Sequence, residues 1–435
     1  MSRADDCLDK TYPPEGDVFD TEKYQNGPGV DQEKVRTFNR QLIIKYLRTH
    51  NPTLRVTIAK ALGLSRATVS IIVKELIKRQ LVLEGEKKRA QPTGGKRATE
   101  IFFNVDAKHI VGVDIGRSRL RLYLTNLTDH ILDKWSEPFD TDDGWEKGLN
   151  KIAPQIDQMV KKNLRGWDSV GGIGIGIPGA VDHQAKLVSP QVLEEHWGGV
   201  DIPEQLRIRL NLSATVPVYL ENDANLGALG ESRYGAGQGV MNMIYVKMST
   251  GIGAGLILNG ELYRGESGLA GEFGHLRLQF DEAPFESGPV CPSCHQRGCL
   301  EALAGLRAIV NDVRGYASER TTANEMVDVI KKAEDGDENS LAALKRAGRR
   351  LGTAIGSDLL NGFNPSLVLL DGGIIRPGKD YDIINSLLLA EIERYARLTS
   401  LPAASARTRI TLGALGDDAV GLGAVAMVID RDPRA

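Results

Sequence analysis

The chain has 435 residues, of which 41% are apolar and 26% charged, so it can form two or three domains with a sizeable buried core. Its 48 glycines favour turn-rich α/β structure and argue against a coiled coil or a disordered chain. The four cysteines come without an apolar secretion signal, and no apolar run is long enough for a membrane span, which excludes a disulfide scaffold and a membrane protein. We therefore expect a protein of the reducing cytoplasm.

The net charge of −3 conceals a segregation of charge along the chain. Residues 1–33 carry three basic and nine acidic side chains, whereas residues 34–104 carry sixteen basic and four acidic ones. A basic block on an otherwise acidic chain predicts a polyanionic partner for that block. A solvated, lysine-rich face is the alternative.

The pattern changes after the first thirty residues. Residues 1–30 are polar, include several prolines and glycines, and are predicted to form a disordered tail. From Val35 onward apolar residues recur at helical spacing, and this first helix is predicted to end before Asn51-Pro52. A second, short helix follows, and Ser65 is a suitable N-cap for a third.

The second and third helices have the spacing of a helix-turn-helix. Ala59 is small where two helices would touch, Gly63 tolerates the positive φ of a tight turn, and Val69 is a branched apolar anchor. The residues left at the outer face of the third helix are short and polar or basic, which suits the major groove of DNA. They are Ser65, Arg66, Ala67, Thr68, Ser70 and Lys74. A helical bundle used for protein contacts is the alternative.

The segment from Leu81 to Phe103 is predicted to form a β-hairpin with a long basic tip. Lys96 and Arg97 follow two glycines at this tip, and a slim cationic loop of this kind can enter a minor groove. The helices, the hairpin and the basic charge together predict an α+β winged helix-turn-helix domain over residues 31–104. Its expected partner is a double-stranded DNA operator.

Three of the four cysteines lie close together, at Cys291, Cys294 and Cys299, and His275 precedes them. Three thiolates and one imidazole complete a tetrahedral zinc site without an open position, which favours a structural role over catalysis. His295 is another possible ligand, but it is adjacent to Cys294 and poorly placed. A cluster of buried or redox-active thiols is the alternative to a metal site.

Residues 105–435 contain short apolar strands that end in glycine turns, as strands do when their ends approach a ligand. Hairpin-linked strands mixed with helices predict α/β lobes. Polar side chains accompany the strand ends and the glycine-rich segments, and carboxylates and amides suit sugar hydroxyls, which both donate and accept hydrogen bonds. The candidates for a sugar pocket are Asn222, Asp223, Glu272, His275 and Glu301.

Several ordered motifs resemble the ROK family of sugar kinases and sugar-responsive repressors. They are GIPG (176–179), ENDAN (221–225), STGIGAG (249–255), GEFGH (271–275) and CPSC-x4-CLE (291–301), and the resemblance covers residues 108–430. The winged helix-turn-helix ahead of them resembles the repressor branch of the family.

The resemblance implies an actin-like, two-lobed sugar-kinase fold that assembles as a dimer or tetramer. It implies a zinc held by His275 and the three clustered cysteines, in a loop near residues 275–301. It also implies that the five candidates named above bind the sugar, with one nitrogen of His275 facing the zinc and the other facing the sugar.

Two departures from the family pattern bear on activity. Kinases of this family resemble Asp-x-Gly-Gly-Thr at the first phosphate loop, where a bare backbone approaches the phosphates, whereas here Arg117 replaces the second glycine. The zinc loop has one residue more than the usual Cys-x-Cys, either Pro292 or Ser293. Asp223 matches the family's general base, so an ATP-dependent hexose kinase is the alternative function.

We expect a sugar-responsive transcriptional repressor of carbohydrate-metabolism genes that is not an enzyme. Its expected partners are operator DNA, a sugar effector and further copies of the chain, with no membrane. A protein that binds a transport component instead of a sugar is a third class.

Overall fold

A computed structural model describes residues 32–87, 99–128, 130–182, 187–189, 196–277, 288–318, 321–375 and 382–431. The chain divides into two compact units, Met1–Ala107 with the last three residues (the front unit) and Lys108–Asp432 (the rear unit). The predicted tail and the predicted hairpin tip with Lys96 and Arg97 lie outside the described residues. Among the described residues, no helix combines the length and the apolar character that a bilayer span needs.

The described residues of the front unit form three helices and a small antiparallel sheet. The helices are α1 (Gln32–Thr49), α2 (Arg55–Ala61) and α3 (Arg66–Lys78). The strands are β1 (Thr53–Leu54), β2 (Val82–Lys87) and β3 (Thr99–Phe103), in the order β1-β3-β2. Sequence reasoning gave the β2–β3 hairpin but missed β1, because two residues are too few to show the alternation of a strand.

The core of the front unit is formed by all three helices and the sheet. Leu47 of α1, Ile58 of α2 and Val69 of α3 are fully buried. The end of α1 is fixed to β3 by one side chain, because the Phe103 N–H donates to Asn51 Oδ1 at 3.1 Å and Asn51 Nδ2 donates to the Phe103 carbonyl at 3.4 Å. The three helices and the hairpin strands fit a winged helix-turn-helix, as the sequence predicted.

The rear unit begins with a five-stranded sheet in the order β10-β7-β4-β5-β6. Its strands are β4 (His109–Gly116), β5 (Arg119–Thr125), β6 (Ile131–Pro138), β7 (Val170–Ile177) and β10 (Val218–Asn222). Helices α4 (Trp145–Asn163) and α5 (Ile202–Leu210) pack against it, and the short strands β8 (Val181–Asp182) and β9 (Leu187–Val188) pair with each other.

A second five-stranded sheet follows, in the order β13-β12-β11-β14-β15. Its strands are β11 (Met243–Met248), β12 (Ile252–Leu258), β13 (Glu261–Tyr263), β14 (Leu367–Asp371) and β15 (Arg409–Leu412). The helices after β10 are α6 (Asp223–Tyr234), α7 (Leu300–Ala304), α8 (Leu306–Arg314), α9 (Ala323–Glu334), α10 (Glu338–Ala354), α11 (Asn361–Phe363), α12 (Asp382–Thr399), α13 (Pro402–Ser405) and α14 (Ala419–Arg431).

A tight turn separates α9 from α10. Gly336 lies between them with φ +88°, and the Asp337 side chain accepts a hydrogen bond from the Ser340 N–H, which starts α10.

The two sheets have the same topology. In each, three consecutive strands form an antiparallel meander and two later strands add in parallel beside the first of the three. Helix α14 packs on β4 and β7 so closely that a Cβ at Gly174 would lie 2.3 Å from the Ala424 carbonyl oxygen. This duplicated α/β arrangement confirms the predicted two-lobed, sugar-kinase-like fold.

Candidate functional site

The outer face of α3 carries the predicted DNA-contacting residues. Gly63, with φ +63°, makes the turn from α2, and Ser65 caps α3 by accepting a hydrogen bond from the Thr68 N–H at 3.0 Å. Ser70 Oγ donates to the Arg66 carbonyl at 2.7 Å, so this hydroxyl is tied to its own helix. Five of the six predicted residues are exposed, namely Ser65, Arg66, Ala67, Ser70 and Lys74, while Thr68 is half-buried.

Sequence reasoning missed Ile71 on the same face. Its side chain is 55% exposed, between Ser70 and Lys74. Ile71 directly precedes Ile72 and Val73, so in the sequence it carries the signal of a core residue. Only the helical phase could have shown that it turns outward with Ala67, four positions earlier.

A polar cavity lies in the rear unit, at the carboxyl ends of strands from both sheets. All five predicted sugar-binding residues line it. Its lining also contains Arg117, Lys247 and Ser249, which were not among the predicted sugar-binding residues.

Asn222 and Asp223 stand where β10 passes into α6. Asn222 Oδ1 accepts from the backbone N–H groups of Ala224 and Asn225, and its Nδ2 donates to the Gly179 carbonyl at 2.9 Å. This amide therefore fixes the helix start as well as lining the cavity. Asp223 Oδ2 lies 2.5 Å from the Lys247 ammonium, an ion pair that the sequence did not predict.

Glu272 and Glu301 line the same cavity in different environments. Glu301 is buried and accepts hydrogen bonds from the Ile252 N–H at 3.0 Å and from Ser293 Oγ at 2.6 Å. Burial raises the pKa of Glu272 to about 7, and the negative charges of Asp223 and Glu301 add to the shift. The raised pKa brings the protonated form of Glu272 into the neutral range, and in that form the carboxyl group can both donate to and accept from a hydroxyl.

The cysteines and His275 form one cluster, in which the possible ligand atoms all lie within 4.8 Å of one another. Cys291 Sγ is 3.7 Å from His275 Nδ1, and the sulfurs of Cys294 and Cys299 are 3.5 Å apart. Sulfurs bound to one tetrahedral zinc at about 2.3 Å are separated by about 3.8 Å, so the donor set fits zinc. His295, the alternative ligand, is exposed and outside the cluster.

His275 connects the cluster to the cavity. Its Nδ1 faces Cys291, while its Nε2 lies 3.7 Å from Glu272 Oε2 on the cavity side. Burial raises the pKa of the Cys291 thiol to about 11, and a bound cation would favour its thiolate form instead.

The geometry defines a class of protein: a two-lobed, sugar-kinase-like chain with a polar cavity between its sheets and a helix-turn-helix unit ahead of it. The family model of the ROK family matches residues 110–431. The chain belongs to the ROK family.

Three similar proteins bear on the function. The xylose repressor of Bacillus subtilis (strain 168) is 32% identical over 405 residues, which cover 92% of this chain and 97% of the repressor. A glucokinase of Halalkalibacterium halodurans is 29% identical and covers 72% of this chain and 92% of the kinase. The crystal structure of a ROK family transcriptional regulator, a homologue of the E. coli MLC protein, has a TM-score of 0.74 at 25% identity, covering 91% of this chain and 97% of the regulator.

Proposed function

We propose that this chain is a sugar-responsive, DNA-binding transcriptional regulator that represses carbohydrate-metabolism genes. The observation that carries the proposal is the length of the similarity to a repressor. It extends over 92% of this chain and 97% of the xylose repressor, so it includes both the front and the rear unit. The similarity to the glucokinase covers 72% of this chain, which is less than the rear unit alone.

In this proposal residues 31–104 bind the operator. Helix α3 enters the major groove with the exposed face that contains Arg66 and Lys74, and the hairpin tip with Lys96 and Arg97 enters a minor groove. The basic residues of the block neutralise phosphates, so the affinity is expected to fall steeply with salt.

Residues 105–435 bind the sugar in the cavity. Asn222 is the last residue of β10 in the first sheet and Asp223 is the first residue of α6, whereas Glu272, His275 and Glu301 follow β13 of the second sheet. A sugar bound among these residues contacts both lobes. A change in the angle between the lobes alters the spacing of recognition helices in a homodimer or homotetramer, and the operator half-sites no longer fit. Such a switch requires a coupling free energy of about 1–3 kcal/mol.

The metal that the cluster is proposed to hold is a structural zinc. Zinc bound by His275, Cys291, Cys294 and Cys299 fixes the loop that precedes Glu301. It also orients the His275 ring, so that Nε2 faces the cavity. Chelation is therefore expected to weaken the response to sugar.

The proposed regulator is not a kinase. Arg117 occupies the first phosphate loop and lines the cavity, and the Asp223 carboxylate is paired with an ammonium. Asp223 then accepts a hydrogen bond from a sugar hydroxyl and does not act as a general base. No transfer of phosphate from ATP to a hexose is expected; transfer that disappears in Asp223→Asn would establish the kinase instead.

The decisive experiment is a mobility-shift assay with duplexes selected from a random library by the full chain. Xylose is the first effector to add, because a xylose repressor is among the similar proteins, followed by glucose and N-acetylglucosamine. We expect one sugar to release the DNA, and the Arg66→Ala, Thr68→Ala double variant to lose the shift while retaining sugar-dependent thermal stabilisation. Failure to select any sequence, or an unchanged shift in the double variant, would contradict the proposal.

A further inference from the structure

Lys247 places a buried positive charge beside Asp223. It lies near the carboxyl end of β11, two residues before the glycine-rich segment at Ser249. The side chains of Lys247 and Asp223 are only 18% and 12% exposed, and Nζ lies 2.5 Å from Oδ2. A lysine in a buried strand normally extends to solvent, so this inward orientation requires a reason.

A second buried carboxylate interacts electrostatically with the same ammonium. Asp114, near the end of β4, is 2% exposed; burial raises its pKa, and the positive charges of Lys247 and Arg121 oppose that shift. Arg121 Nη1 donates to Asp114 Oδ2 at 3.0 Å and its Nη2 donates to Asp417 Oδ1 at 2.9 Å. The group therefore contains two buried carboxylates, one near the end of β4 and one at the start of α6 directly after β10, and two cations supplied by the protein.

Buried carboxylates are stable as charged groups only when a cation neutralises them. Carboxylates are the oxygen ligands that a hard divalent cation prefers, and transfer of a phosphoryl group from a nucleotide depends on such a cation. In this chain the ammonium group of Lys247 already pairs with Asp223, where such a cation would bind. Burial lowers the pKa of Lys247, but the attraction of Asp223 and Asp114 outweighs it and raises the pKa above its usual value, so the ammonium stays charged.

We propose that Lys247 is the resident cation of the cavity: it pairs with Asp223, adds to Arg121 in neutralising Asp114, and so takes the place of a divalent metal ion and determines the chemistry of the ligand. The Lys247–Asp223 pair presents one donor and one acceptor side by side. A sugar hydroxyl fits this pair, since it can accept from the ammonium and donate to the carboxylate at once. The ligand is thus a sugar with a free hydroxyl at this position, bound without a divalent cation or a nucleotide. This inference deepens the proposed sugar-binding function and rests on it only for the identity of the ligand.

The test uses Mn²⁺ alone as the probe, with the full chain already loaded with zinc, because thiolate sites favour zinc over Mn²⁺. Bound Mn²⁺ is measured by the loss of the free-ion signal in electron paramagnetic resonance. Lys247→Met removes the charge but keeps the length of the side chain, and Lys247→Arg keeps the charge. We expect Lys247→Met to bind one Mn²⁺ per chain about tenfold or more tightly than the wild type, whereas Lys247→Arg binds as weakly as the wild type.

A double variant identifies the site of the new metal ion. Lys247→Met combined with Asp223→Asn should lose the gain in Mn²⁺ affinity, because one of the two carboxylates is gone. A folded Lys247→Met that binds Mn²⁺ no more tightly than the wild type would overturn the inference. Should Lys247→Met not fold, Lys247→Gln takes its place, since it retains a hydrogen-bond donor for Asp223 without the charge.

The outcome is separable from the proposed function. Selection of duplex DNA by the wild type tests the front unit, in which Lys247 has no part. If the wild type selects no DNA while Lys247→Met gains Mn²⁺ affinity, the proposed regulatory function is wrong and the inference about Lys247 is supported. If the wild type binds DNA and sugar while Lys247→Met gains no Mn²⁺ affinity, the inference is wrong and the proposed function is supported.

Discussion

Arg117 Nη2 donates a hydrogen bond to Ser293 Oγ at 3.3 Å, and Ser293 Oγ in turn donates to Glu301 at 2.6 Å. Arg117 is the residue that replaces a glycine of the first phosphate loop, and Ser293 belongs to the lengthened cysteine loop. The two departures from the family pattern therefore touch each other across the cavity. They form one connection between the lobe of the first sheet and the segment that carries Glu301.

This connection predicts an energetic coupling between Arg117 and Ser293. In a double-mutant cycle with Arg117→Ala and Ser293→Ala, we expect a coupling of about 0.5–1.5 kcal/mol in the free energy of unfolding, measured by denaturant titration. Arg119→Ala is the matched control, because Arg119 lies near the same turn and donates to Ser136 instead. The effect of Arg119→Ala on the free energy of unfolding should simply add to that of Ser293→Ala. A coupling free energy of zero between Arg117→Ala and Ser293→Ala would show that the Arg117–Ser293 hydrogen bond does not stabilise the protein.

The face of α3 predicts a change in the salt dependence of DNA binding. Replacing Lys74 by alanine removes one exposed cation, so the slope of log K against log salt should become less negative by about 0.9 for one lost phosphate contact. The measurement is a fluorescence-anisotropy titration at several salt concentrations. Lys45, exposed on α1, supplies the matched control, for which Lys45→Ala should keep the wild-type slope.

Ile71 predicts apolar contact with the methyl group of thymine. Its exposed side chain shares the outer face of α3 with Ala67, and such residues contact thymine methyls in the major groove. In a selected duplex, replacing single thymines by deoxyuridine removes only the methyl group. We expect a loss of affinity at one or two positions, and Ile71→Ala should abolish that difference. Equal losses in Ile71→Ala and the wild type would show that Ile71 does not make the contact.

The cysteine cluster predicts one zinc per chain after purification, measured by elemental analysis. Cys294→Ser should lower the zinc content and the melting temperature, because a hydroxyl is a poor substitute for a thiolate ligand. His295→Ala is the matched control, since His295 is adjacent to Cys294 but outside the cluster, and it should retain the zinc. A wild type that is stable without metal would contradict the structural role.

Asp371 predicts a particular dependence of stability on pH. It accepts hydrogen bonds from Tyr245 and from the Gly372 N–H, yet burial raises its pKa from 3.8 to about 6. The folded state thus favours the protonated form, and the contribution to stability is complete below pH 3.8 and is lost as the pH rises to about 6. Relative to wild type, Asp371→Asn should gain about 3 kcal/mol in the free energy of unfolding across this range.

The control for this titration is Tyr245→Phe. Removing the phenol hydroxyl takes away a donor that lowers the pKa of Asp371, so the loss of stability should extend to higher pH. A free-energy difference between Asp371→Asn and wild type that does not vary with pH would mean that the carboxyl is not shifted. Denaturant titrations at fixed intervals of pH provide the measurement.

Features set by neighbours in sequence were predictable. The Ser65 cap, the Gly63 turn and the spacing of the three cysteines depend on residues a few positions apart, and the structure shows each of them. Carboxylates at strand ends were predictable as a group, because strand ends in an α/β fold converge on one cavity.

Features set by the pairing of distant strands were not predictable. The Lys247–Asp223 ion pair joins β11 of the second sheet to the first residue of α6, and a lysine in a strand pattern predicts a solvent-facing residue. The Arg117–Ser293 hydrogen bond connects residues 176 positions apart. No spacing rule reaches that far, so both contacts required the arrangement of the two sheets.

Helix α14 has a consequence for how the chain is synthesised. It packs on β4 and β7 of the first sheet, and its residues from Ala419 to Ile429 are buried. The ribosome makes those strands early and α14 only after every strand of both sheets, so the nascent first lobe keeps one face bare until translation has passed residue 431. Premature release of the polypeptide before this helix would leave that lobe prone to aggregate and not merely shortened.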